Sequence, residues 1–169
     1  MSSTTTTTNR IDAALADLAA RGRKGLLPYV TAGLPDLQTT EDVLVALGEL
    51  GVTAVELGFP YSDPIADGPT IQSSFTRVLE RGIRVGQILD MVARVRARTQ
   101  LPILGMLSYS IAYRRGFDAF VDQARAAGID GLILPDLSLE EAPAVAERIA
   151  RSDLRLPMLV SPTSSPERR

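Results

Sequence analysis

The sequence contains no histidine and no cysteine among its 169 residues. Disulfides, thiol nucleophiles, imidazole catalysis and Cys/His metal centres are therefore excluded, and any chemistry has to come from carboxylates, hydroxyls, cationic side chains or the backbone. An excess of one charge is also lacking, since 18 Lys+Arg and 20 Asp+Glu give a net charge of -2. Without a dense basic face the chain does not fit a nucleic-acid binder, and we expect no metal site.

Long apolar runs are missing as well. No stretch approaches the ~20 residues that a membrane-spanning helix needs, so we expect no membrane segment. Residues 1–8 are rich in Ser and Thr and lack the basic and apolar regions of a signal peptide. We interpret them as a disordered tail ahead of a single domain over residues 9–169. The lack of cysteine favours the cytoplasm as the location.

Short apolar runs alternate with amphipathic segments along the rest of the chain. Five runs that lie near Gly or Pro predict buried strands, at residues 26–31, 54–59, 103–109, 131–135 and 158–161. Helical spacing of apolar residues predicts helices from Asn9, at 40–50, 73–81 and 87–98, from residue 117, and after Ser138. Strands that alternate with helices of this length indicate an α/β fold with a parallel sheet.

The predicted strands begin about 33 residues apart, close to the period of an eight-stranded TIM barrel, (β/α)8, of about 250 residues. We therefore expect the first five βα units of such a barrel. Ser165 and Pro166 have the residue types that open a helix, and the sequence ends three residues later. A complete five-stranded open sheet of the flavodoxin type is the alternative.

The second predicted strand carries an acidic residue in an apolar context. Alternation places Val55, Leu57 and Phe59 on one face, and Glu56 with the small Gly58 on the other. A carboxylate inside a buried strand loses solvation, so its pKa should rise towards the range that suits proton transfer at neutral pH. The alternative is a structural Glu56 that is paired with an arginine or with backbone donors.

The loop after this strand holds two more carboxylates, Asp63 and Asp67, and an aromatic residue, Tyr61. Active sites of barrels assemble at this end of parallel strands, although the same residues are also ordinary turn formers. Tyr61 fits a partner contact or a packing role. Four further residues at or near the ends of predicted strands suit either a pocket for a flat aromatic ligand or ordinary core: Tyr29, Leu107, Ile133 and Val160.

The segment Glu-Leu-Gly-Phe-Pro-Tyr-Ser-Asp-Pro-Ile-Ala-Asp-Gly-Pro-Thr-Ile-Gln over residues 56–72 closely resembles the α subunit of tryptophan synthase, as does 26–35. The similarity runs from about residue 9 to 169. It implies a lyase of tryptophan biosynthesis that cleaves indole-3-glycerol phosphate into indole and glyceraldehyde 3-phosphate by a retro-aldol reaction. It also implies that indole passes to a β subunit in an α2β2 complex. Pyridoxal phosphate is expected only in that partner, and no cofactor in this chain.

The resemblance also implies roles for single residues. Glu56 matches the general acid and base of the family, and Asp67 matches the carboxylate that accepts the indole N–H. The loop with Tyr61 and Asp63 corresponds to the surface that faces the β subunit. The indole pocket positions are matched by Tyr29, Leu107, Ile133 and Val160.

The sequence departs from the family pattern at two loops. Residues 110–113 read Ser-Ile-Ala-Tyr where the family commonly has Asn and Pro, and Ser138 stands where Pro is usual. The family's phosphate-binding glycines do not occur in this sequence, so we expect weaker substrate binding. These departures leave two alternatives to a lyase that works in a complex with a β subunit. One is a catalytically inactive fragment or interaction protein, and the other is a stand-alone indole-3-glycerol phosphate lyase.

Overall fold

The computed structural model describes residues 9–64, 67–162 and 164–165. The expected tail over residues 1–8 and the expected helix from Pro166 lie outside them. Within the described residues the chain forms four strands, β1 Tyr29–Thr31, β2 Val55–Gly58, β3 Ile103–Met106 and β4 Gly131–Ile133. Seven helices accompany them: α1 Arg10–Ala20, α2 Leu37–Glu49, α3 Pro69–Glu80, α4 Val85–Arg96, α5 Tyr109–Arg114, α6 Phe117–Ala127 and α7 Ala142–Arg151.

The strands form one parallel sheet in the order β1-β2-β3-β4. Each strand thus pairs with the next strand along the chain, which is the order of a βα barrel. A flavodoxin-type sheet has its second strand outside the first, in the order 2-1-3-4-5. The α/β fold and the barrel-type arrangement are confirmed, and the flavodoxin alternative is wrong.

The expected fifth strand at residues 158–161 is wrong. As far as the structure describes the residues after β4, they add to its edge only at Arg155, which forms an isolated parallel bridge with Gly131. Two hydrogen bonds hold this bridge, from Leu132 N to Arg155 O at 2.8 Å and from Arg155 N to Asp130 O at 3.0 Å. Pro157 has no N–H with which to continue the ladder.

Helix starts explain most of the differences between expected and observed helices. Asn9 caps α1 as predicted, and its side chain accepts a hydrogen bond from Ile11 N. Helix α2 begins earlier than predicted because the Asp36 carboxylate caps it by accepting from Thr39 N at 2.7 Å. The short α5 is not predicted at all. It follows directly on β3 because the Ser108 side chain accepts from the next turn, so the strand predicted over 103–109 is too long.

The sheet separates two apolar clusters. The outer cluster lies between the sheet and the helices, and Val55, Leu57 and Phe59 belong to it as alternation predicts. The opposite surface, which we call the inner face, consists of Tyr29, Thr31, Glu56, Gly58, Leu104, Met106, Gly131 and Ile133. Two buried side chains from helices belong to the inner cluster, Ile11 of α1 and Phe75 of α3, and Ile71 of α3 is partly buried against it.

Candidate active site

Glu56 lies at the centre of the inner face. In the register of the sheet it is the partner of Tyr29 on β1 and of Leu104 on β3. Burial raises the pKa of the Glu56 carboxyl, and no hydrogen bond or ion pair among the described residues counteracts this. The alternative in which an arginine or backbone donors hold Glu56 is therefore not what the structure shows. A carboxyl group whose pKa is raised in this way holds its proton more tightly than an exposed one, which suits a group that gives and takes a proton during a reaction.

The phenol of Tyr29 leans along β1 towards the carboxyl end of β2. Its ring lies directly over Gly58, where any β-carbon would overlap the phenol oxygen. The hydroxyl is buried and has no hydrogen-bond partner in the described part of the chain. Burial is the main reason why the pKa of the phenol lies well above its usual value. The Thr31 hydroxyl, which comes close to the phenol without making a hydrogen bond of regular geometry, offsets this shift in part, and the charges of Asp67 and Glu56 add to it.

Asp67 is held by the loop between β2 and α3. Its N–H donates to the carbonyl of Pro64 at 3.1 Å, and its own carbonyl accepts from the Gln72 side chain at 2.8 Å. The hydroxyl of Tyr61 reaches the Asp67 carboxylate at 3.4 Å. These contacts fix the backbone on both sides of Asp67 and leave its carboxylate free to accept a further donor.

Tyr61 links this loop to the inner cluster. Its ring packs on Phe75 with 5.2 Å between the ring centroids. Burial, together with the charge of Asp67, raises the pKa of the Tyr61 phenol to about 12. Tyr61 therefore stays a neutral donor towards Asp67 over the whole physiological pH range.

An apolar wall lies next to the carboxylates on the inner face. It consists of Leu104, Met106 and Ile133, with Ile71 and Phe75 from α3. An apolar wall beside a few polar groups suits a flat aromatic ligand. Of the residues that the sequence proposes for the pocket, Tyr29 and Ile133 belong to the inner face.

Leu107 and Val160 do not belong to the inner face. Leu107 is fully buried in the outer cluster, because alternation along β3 turns Met106 inward and Leu107 outward. Val160 is 61% exposed and lies outside the sheet. Every residue of β3 is apolar or glycine, so no polar residue marks its inner face. Counting in steps of two from Leu104 is the one signal in the sequence that finds Met106.

A cleft of about 540 Å³ lies at the carboxyl ends of β2, β3 and β4, where Tyr61, Asp63 and Arg114 are among its walls. Asp136, on its floor, accepts hydrogen bonds from Ser108 Oγ and Tyr109 N, each at 2.6 Å. These bonds tie the start of α5 to the loop after β4. The Asp63 carboxylate is exposed and accepts a hydrogen bond from the neighbouring Ser62.

Acidic clusters and long apolar helices are the features that would indicate a metal site or a membrane segment. Among the described residues no three acidic side chains come together as a metal site would require. In the same part of the chain no helix has the length and apolar character to cross a membrane.

The chain matches a family model described as tryptophan synthase alpha chain over residues 15–169. The tryptophan synthase alpha chain of Caldanaerobacter subterraneus subsp. tengcongensis is 45% identical over 156 residues, which are 92% of this chain and 60% of that protein. The alpha chain of Microcystis aeruginosa is 45% identical over 151 residues, which are 89% of this chain and 57% of that protein. The chain thus spans about 60% of the length of these curated relatives.

Solved structures give the same result. Tryptophan synthase subunit alpha from Legionella pneumophila str. Paris superposes with a TM-score of 0.91 at 39% identity, over 96% of this chain and 62% of that one. The tryptophan synthase A-subunit of Pyrococcus furiosus superposes with a TM-score of 0.82 at 38% identity, over 85% of this chain and 58% of that one.

Proposed function

Because the chain belongs to the tryptophan synthase alpha chain family, we propose that it is a lyase of tryptophan biosynthesis that cleaves indole-3-glycerol phosphate into indole and glyceraldehyde 3-phosphate. One observation carries this proposal. The Glu56 carboxyl has a raised pKa, no protein partner among the described residues, and a place beside an apolar wall of aromatic size. The reaction breaks a carbon–carbon bond next to a hydroxyl and needs proton transfers, which such a group supplies.

In this proposal Glu56 acts twice. As the acid it gives its proton to C3 of the indole ring, which leaves positive charge on the ring nitrogen. As the carboxylate it then takes the proton of the substrate hydroxyl, the bond to C3 breaks, and the hydroxyl carbon leaves as an aldehyde. Asp67 accepts the indole N–H and stabilises the charge on the nitrogen. Two carboxyl groups in different surroundings thus have different roles.

The indole ring is proposed to lie against Tyr29, Met106 and Ile133. Met106 takes the place in the pocket that the sequence assigns to Leu107, since Met106 is on the inner face and Leu107 is not. Val160 lies outside the sheet and is not included.

The partner is proposed to be a tryptophan synthase β subunit in an α2β2 complex, which receives indole in the cytoplasm. The proposed contact surface is the cleft with Tyr61 and Asp63. Its position supports the proposal, because it opens at the carboxyl ends of the strands beside the inner face. In this proposal pyridoxal phosphate belongs to the β subunit, and this chain works without a cofactor.

The test is to mix the purified 169-residue chain with indole-3-glycerol phosphate, with and without a β subunit, and to measure indole. Glu56→Gln is the matched inactive control. Indole from the wild type and none from Glu56→Gln supports the proposal. Binding to the β subunit without indole formation would favour an interaction protein. Indole formation by a chain that does not bind the β subunit would favour a stand-alone lyase.

A further inference from the structure

Tyr29 carries the one buried side-chain polar atom, within the described residues, that lacks a hydrogen-bond partner. A phenol hydroxyl has one proton to donate, and leaving it unpaired in the interior costs free energy. Phenylalanine would fill the same space without this cost. A buried hydroxyl of this kind therefore needs an explanation, and a bound ligand that supplies its partner is one.

The hydroxyl of Thr31, which lies beside the phenol on the inner face, is engaged with a serine of α3. Thr31, which follows Tyr29 on the inner face of β1, has its hydroxyl bound to Ser74 Oγ at 2.8 Å. Ser74 Oγ in turn donates to the carbonyl of Ile71 at 2.7 Å. Since Ser74 uses its own proton on Ile71, the Thr31 proton goes to Ser74, and the phenol makes no hydrogen bond of regular geometry with Thr31. The charges of Asp67 and Glu56 both act on the phenol.

The position of the hydroxyl relative to Glu56 is set by the sheet. Tyr29 and Glu56 are register partners, and the phenol lies over Gly58, which is the next inward position on β2 towards its carboxyl end. Substrates reach a parallel sheet of this kind from its carboxyl end. The Tyr29 hydroxyl therefore lies on the side of Glu56 from which a substrate arrives.

We propose that Tyr29 is a further catalytic residue, whose hydroxyl donates a hydrogen bond to the substrate oxygen from which Glu56 removes the proton. This inference rests on the proposed function. When the proton moves to Glu56, the electron pair on oxygen forms the aldehyde carbonyl. The electron pair of the broken carbon–carbon bond restores the neutral indole ring. Tyr29 keeps its proton throughout and stabilises the negative charge that develops on the oxygen.

Burial supports this role, because the raised pKa of the phenol keeps it protonated wherever Glu56 works. A protonated phenol can donate to the oxygen at any pH at which the carboxyl groups exchange protons. Tyr61 cannot take over this function, since its hydroxyl already donates to Asp67.

The test compares wild type, Tyr29→Phe and the control Tyr113→Phe, which removes an exposed hydroxyl on α5. The full chain is assayed with a β subunit for kcat, and alone for binding of two ligands. These are indole-3-glycerol phosphate and indole-3-propanol phosphate, which lacks the substrate hydroxyls. We expect Tyr29→Phe to lower kcat at least ~10-fold, as loss of a donor to a developing oxyanion does. Binding of the propanol compound and the melting temperature should not fall, and Tyr113→Phe should behave as wild type.

The outcomes separate this inference from the proposed function. A wild type that forms indole, with an unchanged kcat in Tyr29→Phe, overturns the role of Tyr29 alone. Equal weakening of both ligands also overturns it, because the ring would then act by packing. If the wild type forms no indole, the proposed function fails, and a preference for the glycerol compound that Tyr29→Phe abolishes still supports a hydroxyl contact. A chain that binds neither ligand overturns both.

Discussion

The ring of Tyr29 occupies the space that a side chain at Gly58 would fill. A β-carbon added at Gly58 would overlap the phenol oxygen and the adjoining ring carbons. The two residues lie on neighbouring strands of the inner face. Tyr29 is the register partner of Glu56, and Gly58 is the next inward residue after Glu56 on β2. The missing side chain of Gly58 therefore determines where the phenol lies relative to the proposed acid and base.

The first prediction concerns Gly58→Ala. The backbone of Gly58 has no positive φ, so alanine is compatible with the strand and acts only through its methyl group. We expect a loss of about 1–3 kcal/mol in the free energy of unfolding, as overpacking costs. Urea denaturation measures it. Gly86→Ala is the control, since nothing lies within 4 Å of its added β-carbon. A stable Gly58→Ala variant, or no recovery when Tyr29→Ala is added, would contradict the proposed overlap.

The second prediction concerns the pH dependence of Glu56→Gln. Burial raises the pKa of Glu56 in the folded chain, so the folded state binds the proton more tightly than the unfolded state. The free energy of unfolding therefore falls as the pH rises from the pKa of Glu56 in the unfolded chain to its pKa in the folded chain, and this loss stays constant at higher pH. Glu56→Gln removes this loss.

Glu56→Gln should thus raise the melting temperature at pH 7, relative to wild type, by more than it does at pH 4. Turnover should be lost at both pH values. Melting curves at the two pH values are compared with those of Glu80→Gln, an exposed site at the end of α3. A melting temperature at pH 7 below that of wild type would show that Glu56 has a stabilising partner.

The third prediction concerns Asp67→Asn. The amide keeps an oxygen that can accept from Tyr61 and from an indole N–H, but it lacks the charge. Since a hydrogen bond to a charged group contributes roughly 1.5–3 kcal/mol, we expect kcat/KM to fall about 10- to 100-fold, which is less than for Glu56→Gln. Steady-state indole formation measures it. Unchanged kinetics would exclude Asp67 from the site.

Much of this fold follows from the sequence, and the reasons are local. The run from Val55 to Phe59 alternates a carboxylate and a glycine with bulky residues, so residue types alone distinguish its two faces. The run from Ile103 to Leu107 is apolar or glycine throughout, so residue types do not distinguish its two faces. β3 ends at Met106, and Ser108 caps α5 two residues later. The spacing of apolar residues, on which the strand prediction depends, gives no sign of this change.

Contacts between distant residues are beyond the reach of such patterns. Asp130 meets Arg10, which is 120 residues away in the chain, and it meets Arg96 as well. The orphaned hydroxyl of Tyr29 is likewise visible only once the neighbouring side chains are placed. A pairwise arrangement across strands and helices depends on packing, which periodicity does not encode.

The fourth prediction separates Met106 from Leu107. Both are apolar neighbours at the end of β3, and both are buried. Because Met106 is part of the inner cluster, Met106→Ala should weaken the binding of indole-3-propanol phosphate about 10-fold, as the loss of one apolar wall residue does. Leu107→Ala should instead cost about 2–5 kcal/mol of unfolding free energy, with unchanged affinity for the folded chain. Calorimetry and urea denaturation measure the two effects, and a reversed pattern would restore Leu107 to the pocket.

The fifth prediction concerns Asp130, which joins three elements at the amino ends of the strands. Its carboxylate, 3% exposed, pairs with Arg10 at 2.8 Å and with Arg96 at 3.2 Å, and it accepts from Ile103 N at 2.8 Å. Asp130→Asn keeps the volume but leaves the partly buried Arg96 without its counter-charge. Removing one partner of such a pair costs about 3–5 kcal/mol.

We therefore expect Asp130→Asn to lower the free energy of unfolding by about 3 kcal/mol, measured by urea denaturation at pH 7. The control is Asp17→Asn, because the Asp17 carboxylate is 54% exposed and its ion pair is with Arg21, the C-cap residue of the same helix. An exposed pair of this kind contributes at most about 0.5 kcal/mol. Similar effects for the two variants would mean that the Arg96 guanidinium is stabilised by hydration and not by its ion pair with Asp130. A large loss confined to Asp130→Asn would show that the buried carboxylate holds α1, α4 and β3 together.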